Sequence, residues 1–307
     1  MPVPARHKIV MNIQIRSAAA LLIAAAAIAG GPTARARQQT TASRLVLATV
    51  TDAQNRVLAD LGPDDFVITE NGQTREVVAV YTADYPVIVL VDNSAEARSD
   101  FAAIRSAVNR FLSRAGERFV AVGTLANPPA LLTSLEDDRS AVLARLDRMT
   151  AGPSSVLMPI EAVALAVEAV RENGSPFSAV VVVSAHSIDA TQPQNIRLLP
   201  DIFESGAIVH VLSRTSPATA PRGRAYAPRL QGDLLRDLAD QTRGYFTTVF
   251  SAPSYGVALN NLADRLDTEV MVEYIAPPGP QPQGEVQIGV RIPGAHLRAL
   301  RVSKSVE

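Results

Sequence analysis

Three short segments in the middle of the chain consist almost entirely of aliphatic residues, with no alternation of apolar and polar positions. They are Val87–Val91, Ala179–Val183 and Ala207–Leu212. A strand that lacks alternation is covered on both faces, as in a parallel sheet that lies between two layers of helices. These runs therefore predict central strands of such a sheet.

Helical patterns separate these strands. Ser99 is placed to cap a helix whose apolar residues, from Phe101 to Leu112, fall on one face. Strand and helix then alternate to the end of the region, which predicts a doubly wound, mostly parallel α/β sheet with right-handed crossovers over residues 86–276. The further predicted elements are strands at Phe119–Leu125 and Val270–Ile275 and helices at Asp137–Met149, Val156–Val170, Leu230–Gln241 and Gly256–Leu266.

The segments on either side of this region alternate as one-sided strands do. Residues 37–85 predict a small β module with a hairpin at Asn71-Gly72, and residues 277–307 predict two more strands after a proline-rich spacer. Neither set is large enough to form its own core. We therefore expect the two to pair into one small flanking β-sandwich, with the α/β domain inserted into it.

The N-terminus has the pattern of a secretory signal peptide. Basic residues precede the short apolar run Ala18–Ala29, and Ala34-Arg35-Ala36 offers a small-x-small cleavage site. The run is short for a membrane span, and no later apolar run approaches spanning length. We predict a signal peptide over residues 1–36 and an exported protein, periplasmic or secreted, without a membrane span in the mature chain.

Composition excludes several classes of function. The net charge is −1 and the aromatic content is 5% without any tryptophan, so nothing indicates nucleic-acid binding. The absence of cysteine removes disulfides and thiol catalysis. Neither a glycine-rich phosphate loop nor a Gly-x-Ser-x-Gly elbow occurs. Of the four histidines, His186 lies in a loop at the predicted ligand edge, and His210 is expected to be a satisfied core residue.

The residues that suggest chemistry follow the predicted strands. Asp92 and Ser94 come directly after Val87–Val91, Ser155 lies in a later loop, and His186 follows the strand at Ala179–Val183. In an open α/β sheet, ligands bind at the carboxyl ends of the strands. We therefore expect these side chains to line one edge of the sheet.

Asp92-Asn93-Ser94 resembles the opening of the metal-ion-dependent adhesion motif of von Willebrand factor A domains. The preamble resembles that of the bacterial VWFA-related proteins, through Val50–Leu58, Asp65-Phe66 and Glu70-Asn71-Gly72. The resemblance implies a von Willebrand A (Rossmann-like) fold. It also implies a site for Mg²⁺ assembled from three loops, in which a partner's carboxylate completes the coordination.

The implied metal ligands are Asp92, Ser94 and Ser155, and the pattern is only partly kept. Glu96 stands where the motif has a second serine, and Ala185 stands where it has an aspartate. Two interpretations follow. Either Glu96 supplies the missing charge and Mg²⁺ binds, or the fold is kept and the metal site is degenerate, so that no cofactor is needed.

The sequence therefore predicts an exported, non-enzymatic protein–protein interaction protein of the adhesion type, whose partner binds at the carboxyl edge of the sheet. The alternative is a periplasmic hydrolase-like or small-ligand-binding domain that uses the same edge, with Ser94 or His186 in its chemistry.

Overall fold

The computed structural model describes residues 42–58, 60–187, 193–215, 234–279, 282 and 284–304. The predicted signal peptide, residues 1–36, lies outside the described residues. Within them, no helix has both the length and the apolar character needed to cross a membrane.

Strands and helices alternate through the middle of the described chain, and strands alone occupy its two ends. The strands are β1 (Ala42–Thr51), β2 (Phe66–Glu70), β3 (Gln73–Arg75), β4 (Val77–Thr82), β5 (Val87–Val91), β6 (Val120–Thr124), β7 (Ala130–Leu131), β8 (Ser178–Ser184), β9 (Ala207–Arg214), β10 (Phe246–Val249), β11 (Glu269–Ala276), β12 (Val286–Val290) and β13 (His296–Val302). The helices are α1 (Phe101–Ser113), α2 (Arg139–Asp147), α3 (Pro159–Asn173), α4 (Pro193–Ile196), α5 (Leu199–Glu204), α6 (Leu234–Gln241) and α7 (Ser254–Leu266), with short 3-10 turns at Pro63–Asp65 and Glu96–Ser99.

The central sheet has the strand order β10-β9-β8-β5-β6-β7, and all its pairs are parallel except that of β6 with β7. Every residue of β5, β6 and β8 is buried. Helices α1, α2 and α7 pack on one face of the sheet, and α3, α5 and α6 pack on the other. The predicted fold class, a doubly wound and mostly parallel α/β sheet, is confirmed.

The strand order reverses at β5, because the next strand, β6, lies on one side of it and β8 lies on the other. The connections that leave the carboxyl ends of β5 and β8 therefore diverge to opposite faces of the sheet. A crevice forms at such a switch point, and ligands of this class of fold bind there.

The remaining strands form two antiparallel sheets, β13-β1-β11-β4 and β12-β2-β3. Their inner faces share one core, which includes Val46, Phe66, Ile68, Val272 and Tyr274. Strand β13 pairs with β1, and β12 pairs with β2, so the chain after residue 277 lies against the N-terminal strands. The α/β region lies in the sequence between β4 and β11.

One predicted boundary is wrong. The segment Val270–Ile275 was expected to be the last strand of the α/β domain, but β11 pairs antiparallel with β1 and β4 in the other sheet. The reason is visible in its burial, since Val272, Tyr274 and Ala276 are buried while the residues between them are only partly covered. This alternation is typical of an antiparallel strand with one covered face. The α/β region thus ends with α7.

The sequence analysis also missed the edge strand β10, which pairs in parallel with β9. A glycine precedes it by two positions: a Cβ atom at Gly244 would lie 1.9 Å from the carbonyl oxygen of Val209. Only glycine allows the two backbones to approach so closely. That glycine, followed by the aromatic and β-branched run Tyr245–Phe250, is the signal that could have indicated a strand.

A buried ion pair links the two sheets of the sandwich. The Arg44 guanidinium on β1 donates hydrogen bonds of 2.8 and 3.1 Å to the two carboxylate oxygens of Glu70 on β2, and both side chains are fully buried. Arg44 also donates to the carbonyl oxygen of Gly279 at 2.9 Å. This arginine therefore joins both sheets to the segment that follows β11.

A second polar cluster holds the two connections between the sandwich and the α/β region. The Tyr85 hydroxyl, just before β5, donates to the carboxyl group of Glu269, the first residue of β11. Arg118 donates to the carbonyl oxygens of Ala83 at 2.8 Å and Leu266 at 3.0 Å. Burial raises the pKa of Glu269 from 4.5 to about 7, although the Tyr85 hydroxyl and the Arg118 charge oppose the shift.

This raised pKa predicts that the protein loses stability as the pH rises from 4.5 to 7. In that range the folded state keeps the Glu269 proton that the unfolded state has released, so the free energy of unfolding falls with pH. The total change is on the order of 3 kcal/mol. Glu269→Gln should remove this pH dependence while keeping an acceptor for the Tyr85 hydroxyl, as measured by urea unfolding across the range.

Glu273→Gln is the matched control. Glu273 lies on β11 like Glu269 but is only half-buried, and it accepts a 2.8 Å hydrogen bond from the Tyr81 hydroxyl on β4. It should leave the pH dependence as in the wild type. Parallel stability curves for the wild type and Glu269→Gln would contradict the prediction.

Candidate functional site at the carboxyl edge of the sheet

Asp92 joins the two loops that leave the switch point. It directly follows β5, and its side chain is completely buried. One carboxylate oxygen accepts the Ser94 backbone N–H at 2.9 Å. The other accepts the Ala185 backbone N–H at 2.9 Å and lies 3.2 Å from the Ser184 hydroxyl, which also lies 2.7 Å from the His186 carbonyl oxygen and can donate to only one of the two. The predicted meeting of these loops at one edge thus occurs through a single carboxylate.

His186 completes the surroundings of that carboxylate. Its Nδ1 lies 3.3 Å from Asp92 Oδ2, and the histidine side chain is 36% exposed. The interaction with Asp92 raises the pKa of His186 above its ordinary value, against the opposing effect of burial. For Asp92, burial acts to raise the pKa, but the interactions with His186 and Ser94 outweigh it and the pKa is lowered. Both shifts stabilise the charged forms of the two groups, while the 3.3 Å contact of Nδ1 with Asp92 does not have the geometry of a hydrogen bond.

The loop that contains Ser155 is fixed to the loop after β5 by backbone hydrogen bonds. The Gly152 N–H donates to the Asn93 carbonyl at 2.6 Å, and the Ala95 N–H donates to the Ser154 carbonyl at 2.9 Å. Both Glu96 and Ser155 are exposed. A hydrogen bond from the Ser155 hydroxyl is the main cause that lowers the pKa of Glu96. These two side chains therefore lie together on the surface of the edge.

Ser94 differs from Ser155 in being completely buried. Its hydroxyl oxygen accepts the Ala97 N–H at 3.3 Å and so supports the 3-10 turn at Glu96–Ser99. This hydrogen bond accounts for a serine at position 94 without a ligand, because serine commonly caps such turns.

The residues singled out by the sequence thus meet at one edge, where Mg²⁺ would have to compete with the hydrogen bonds that Asp92 already makes. The ion needs oxygen ligands that are free to coordinate it. The acceptor oxygens of Asp92 are already engaged by N–H donors, and a histidine nitrogen stands beside them. Ala185 contributes only a backbone N–H. Over the described ranges, no cluster of three or more His, Cys, Asp or Glu side chains is arranged to hold a metal.

Two supporting contacts were not predicted from the sequence. Asp100, just before α1, forms an ion pair with Arg214 at the end of β9. The Tyr255 hydroxyl, on α7, donates to the Ser184 carbonyl at 2.7 Å, directly behind Asp92. Burial raises the pKa of Tyr255, so this hydroxyl remains a donor. Each contact joins residues far apart in sequence, and the residue types alone carry no signal that would pair them.

Residues 87–186, from β5 to the histidine of the candidate site, match the sequence model of the von Willebrand factor type A domain. The chain therefore contains a von Willebrand A domain, as the resemblance implied. No curated protein matches the chain.

Solved structures with a similar fold share little sequence with it. A von Willebrand factor type A protein from Catenulispora acidiphila is 11% identical, with a TM-score of 0.49 over 87% of this chain and 74% of its own. The conserved hypothetical protein BatB from Bacteroides thetaiotaomicron is 17% identical, with a TM-score of 0.46 over 59% of this chain and 98% of its own. The SpRpn10 VWA domain is 15% identical, with a TM-score of 0.44 over 58% of this chain and 94% of its own.

The Asp92 network predicts that Asp92→Ala destabilises the domain. The change leaves the buried N–H groups of Ser94 and Ala185 without an acceptor, which should lower the free energy of unfolding by roughly 2–4 kcal/mol. It also removes the main cause of the raised His186 pKa, so that pKa should fall. Chemical denaturation and NMR titration of His186 measure the two effects. Glu96→Gln, at an exposed position, is the control for stability, and an unchanged His186 pKa in Asp92→Ala would contradict the pairing.

Proposed function

We propose that this chain is a non-enzymatic protein-interaction protein, and that its von Willebrand A domain binds a protein partner at the carboxyl edge without Mg²⁺. The observation that carries the proposal is the Asp92–His186 pairing. A buried carboxylate normally requires compensation by a cation or by hydrogen-bond donors. Here backbone N–H groups donate to Asp92, and a histidine with a raised pKa lies beside it.

The exposed groups at this edge support a protein as the ligand. Val156 is 52% exposed next to Ser155, and Phe250 is 57% exposed directly after β10, at the same edge of the sheet. Glu96, Ser155 and the outer face of His186 provide polar groups at the same edge. Exposed apolar side chains interspersed with polar groups are common in protein interfaces.

The alternative of a hydrolase finds less support. A nucleophilic serine has to be exposed and within hydrogen-bond reach of its base. Ser94 is completely buried and its hydroxyl oxygen accepts the Ala97 N–H. We therefore propose a binding role for the edge. Export of the protein is part of the proposal as well, and it rests on the N-terminal sequence pattern alone.

Partner binding should depend on the carboxyl edge and should not depend on divalent metal. Val156→Glu places a charge at an exposed apolar position of the carboxyl edge. Val78→Glu is the control, because Val78 is 42% exposed but lies on β4 of the sandwich. Proteins captured from extracts of the cells that make this chain would be compared for both variants and the wild type, with and without chelator. We expect a component that Val156→Glu loses, that Val78→Glu keeps, and that survives chelation. Capture lost equally in both variants, or only with chelator, would contradict the proposal.

Calorimetry with Mg²⁺ tests the metal directly. We expect no saturable binding to the wild-type protein, because Asp92 is already engaged. The double variant Glu96→Ser, Ala185→Asp restores the residue types of the adhesion motif and serves as the positive comparison. Saturable Mg²⁺ binding to the wild type that disappears in Asp92→Ala would show that Glu96 compensates, and that the interpretation without metal is wrong.

A further inference from the structure

His210 is a buried histidine with only one of its two ring nitrogens satisfied. It lies in the middle of β9 between apolar residues and is 1% exposed. Its Nδ1 accepts the backbone N–H of Tyr245 at 3.3 Å, on the neighbouring strand β10. Its Nε2 is buried and has no hydrogen-bond partner within the described chain. The expectation of a fully satisfied core histidine is therefore wrong for one nitrogen.

The protonation of this ring follows from its surroundings. Burial, and then the charges of Arg265 and Arg298, lower the pKa of His210 to about 3, so the ring is neutral near pH 7. Because a backbone N–H can only donate, Nδ1 is the acceptor and the ring proton resides on Nε2. His210 thus carries a buried N–H donor without an acceptor, which is an unfavourable arrangement that native structures rarely leave unexplained.

His210 lines a cavity of about 130 Å³ between α7 and the strands β9 and β10. Its polar lining consists of His210, Thr247, Asn261 and Arg265, and Tyr245 and Leu262 contribute apolar surface. No carboxylate is among the described residues that line it. The cavity has room for a group the size of a phosphate or a short carboxylic acid, and its lining is rich in hydrogen-bond donors.

Two guanidinium groups gather at the Tyr245 ring beside this cavity. Arg265 lies 4.0 Å from the ring centroid, and Arg298, from β13, lies 5.1 Å from it and donates to the Tyr245 hydroxyl. Neither arginine forms an ion pair with a carboxylate in the part of the chain that the structure describes. The nearby Glu269 carboxyl is buried and bonded to Tyr85. Arg298 influences the charge of Glu269 from a distance, and neither guanidinium is neutralised by an ion pair within the described chain.

We propose that this cavity, defined by His210, Tyr245, Thr247, Asn261, Leu262 and Arg265, binds the oxyanion group of a small molecule, either a carboxylate or a phosphate. The guanidinium of Arg265 supplies the charge-assisted hydrogen bonds that oxyanions prefer, and Thr247 and Asn261 supply further donors. The Nε2–H of His210 is covered in this structure and reaches an oxygen of the ligand only when the side chains above it shift. The site is separate from the carboxyl edge, since it lies at the middle of β9 beneath α7. It takes a different class of ligand and uses none of the residues around Asp92.

The test is an NMR titration of the full chain that follows the Nε2–H resonance of His210. Sodium phosphate and sodium propionate are the two oxyanion probes at matched ionic strength, and propionamide is the uncharged comparison. We expect a saturable shift with at least one anion and none with propionamide. The stronger of the two anions identifies the oxyanion class. Arg265→Gln should weaken binding by about 10-fold or more.

Arg145→Gln is the matched control, because Arg145 is also exposed and helical but lies on α2. It should leave the affinity unchanged. A second variant, His210→Phe, keeps an aromatic ring and removes the Nε2–H, and its thermal stability should no longer rise with the anion that the wild type binds. The proposal fails if neither anion produces a saturable shift, or if Arg145→Gln weakens binding as much as Arg265→Gln does.

Discussion

The pairing of β1 with two later strands is the constraint on which the rest of the architecture depends. β1 lies between β11, which follows the α/β region, and β13, near the C-terminal end of the described chain. Because β11 also pairs with β4, the two connections of the α/β region, before β5 and after α7, lie side by side. Tyr85, Arg118 and Glu269 form hydrogen bonds between them. A domain held at both ends in this way has a fixed attachment, whereas one held by a single linker is free to reorient.

In the central sheet, the buried carboxylate of Asp92 at the carboxyl end of β5 also joins segments that are far apart in sequence. Asp92 is held by donors from two diverging loops, and the His186 imidazole stands beside it. The resemblance to metal-dependent adhesion sites implies a cation near this carboxylate. Here the His186 imidazole, whose pKa is raised, lies beside that carboxylate, and Ala185 stands where the motif has a second carboxylate. The proposal of an interaction without Mg²⁺ rests on this arrangement.

The features that could be predicted from the sequence are those that depend on the pattern of apolar and polar residues within one segment of the chain. Continuous apolar runs such as Val87–Val91 indicated the parallel sheet, and the rule that ligands bind at carboxyl ends brought Asp92 and His186 to one edge. The pairing of the strands after residue 277 with the N-terminal strands was expected, because neither set could form a core alone. The pairing of β11 with β1 and β4 was missed. The alternation within β11 was present in the sequence, yet its position after a helix suggested one more parallel strand. The role of Ala185 could not be predicted, because its backbone N–H makes the contact and side-chain chemistry carries no trace of it.

Helix α7 contributes to both proposed sites, which raises the question of whether they can be tested separately. Tyr255, near its start, supports the Ser184 carbonyl behind Asp92, and Arg265, near its end, lines the cavity at His210. These two residues are ten positions apart, so about 15 Å of helix separates them. Arg265 is exposed and makes no hydrogen bond to the Asp92 network, so its replacement leaves the Tyr255 contact in place. Loss of oxyanion binding in Arg265→Gln, with the His186 pKa unchanged, would therefore report on the cavity alone.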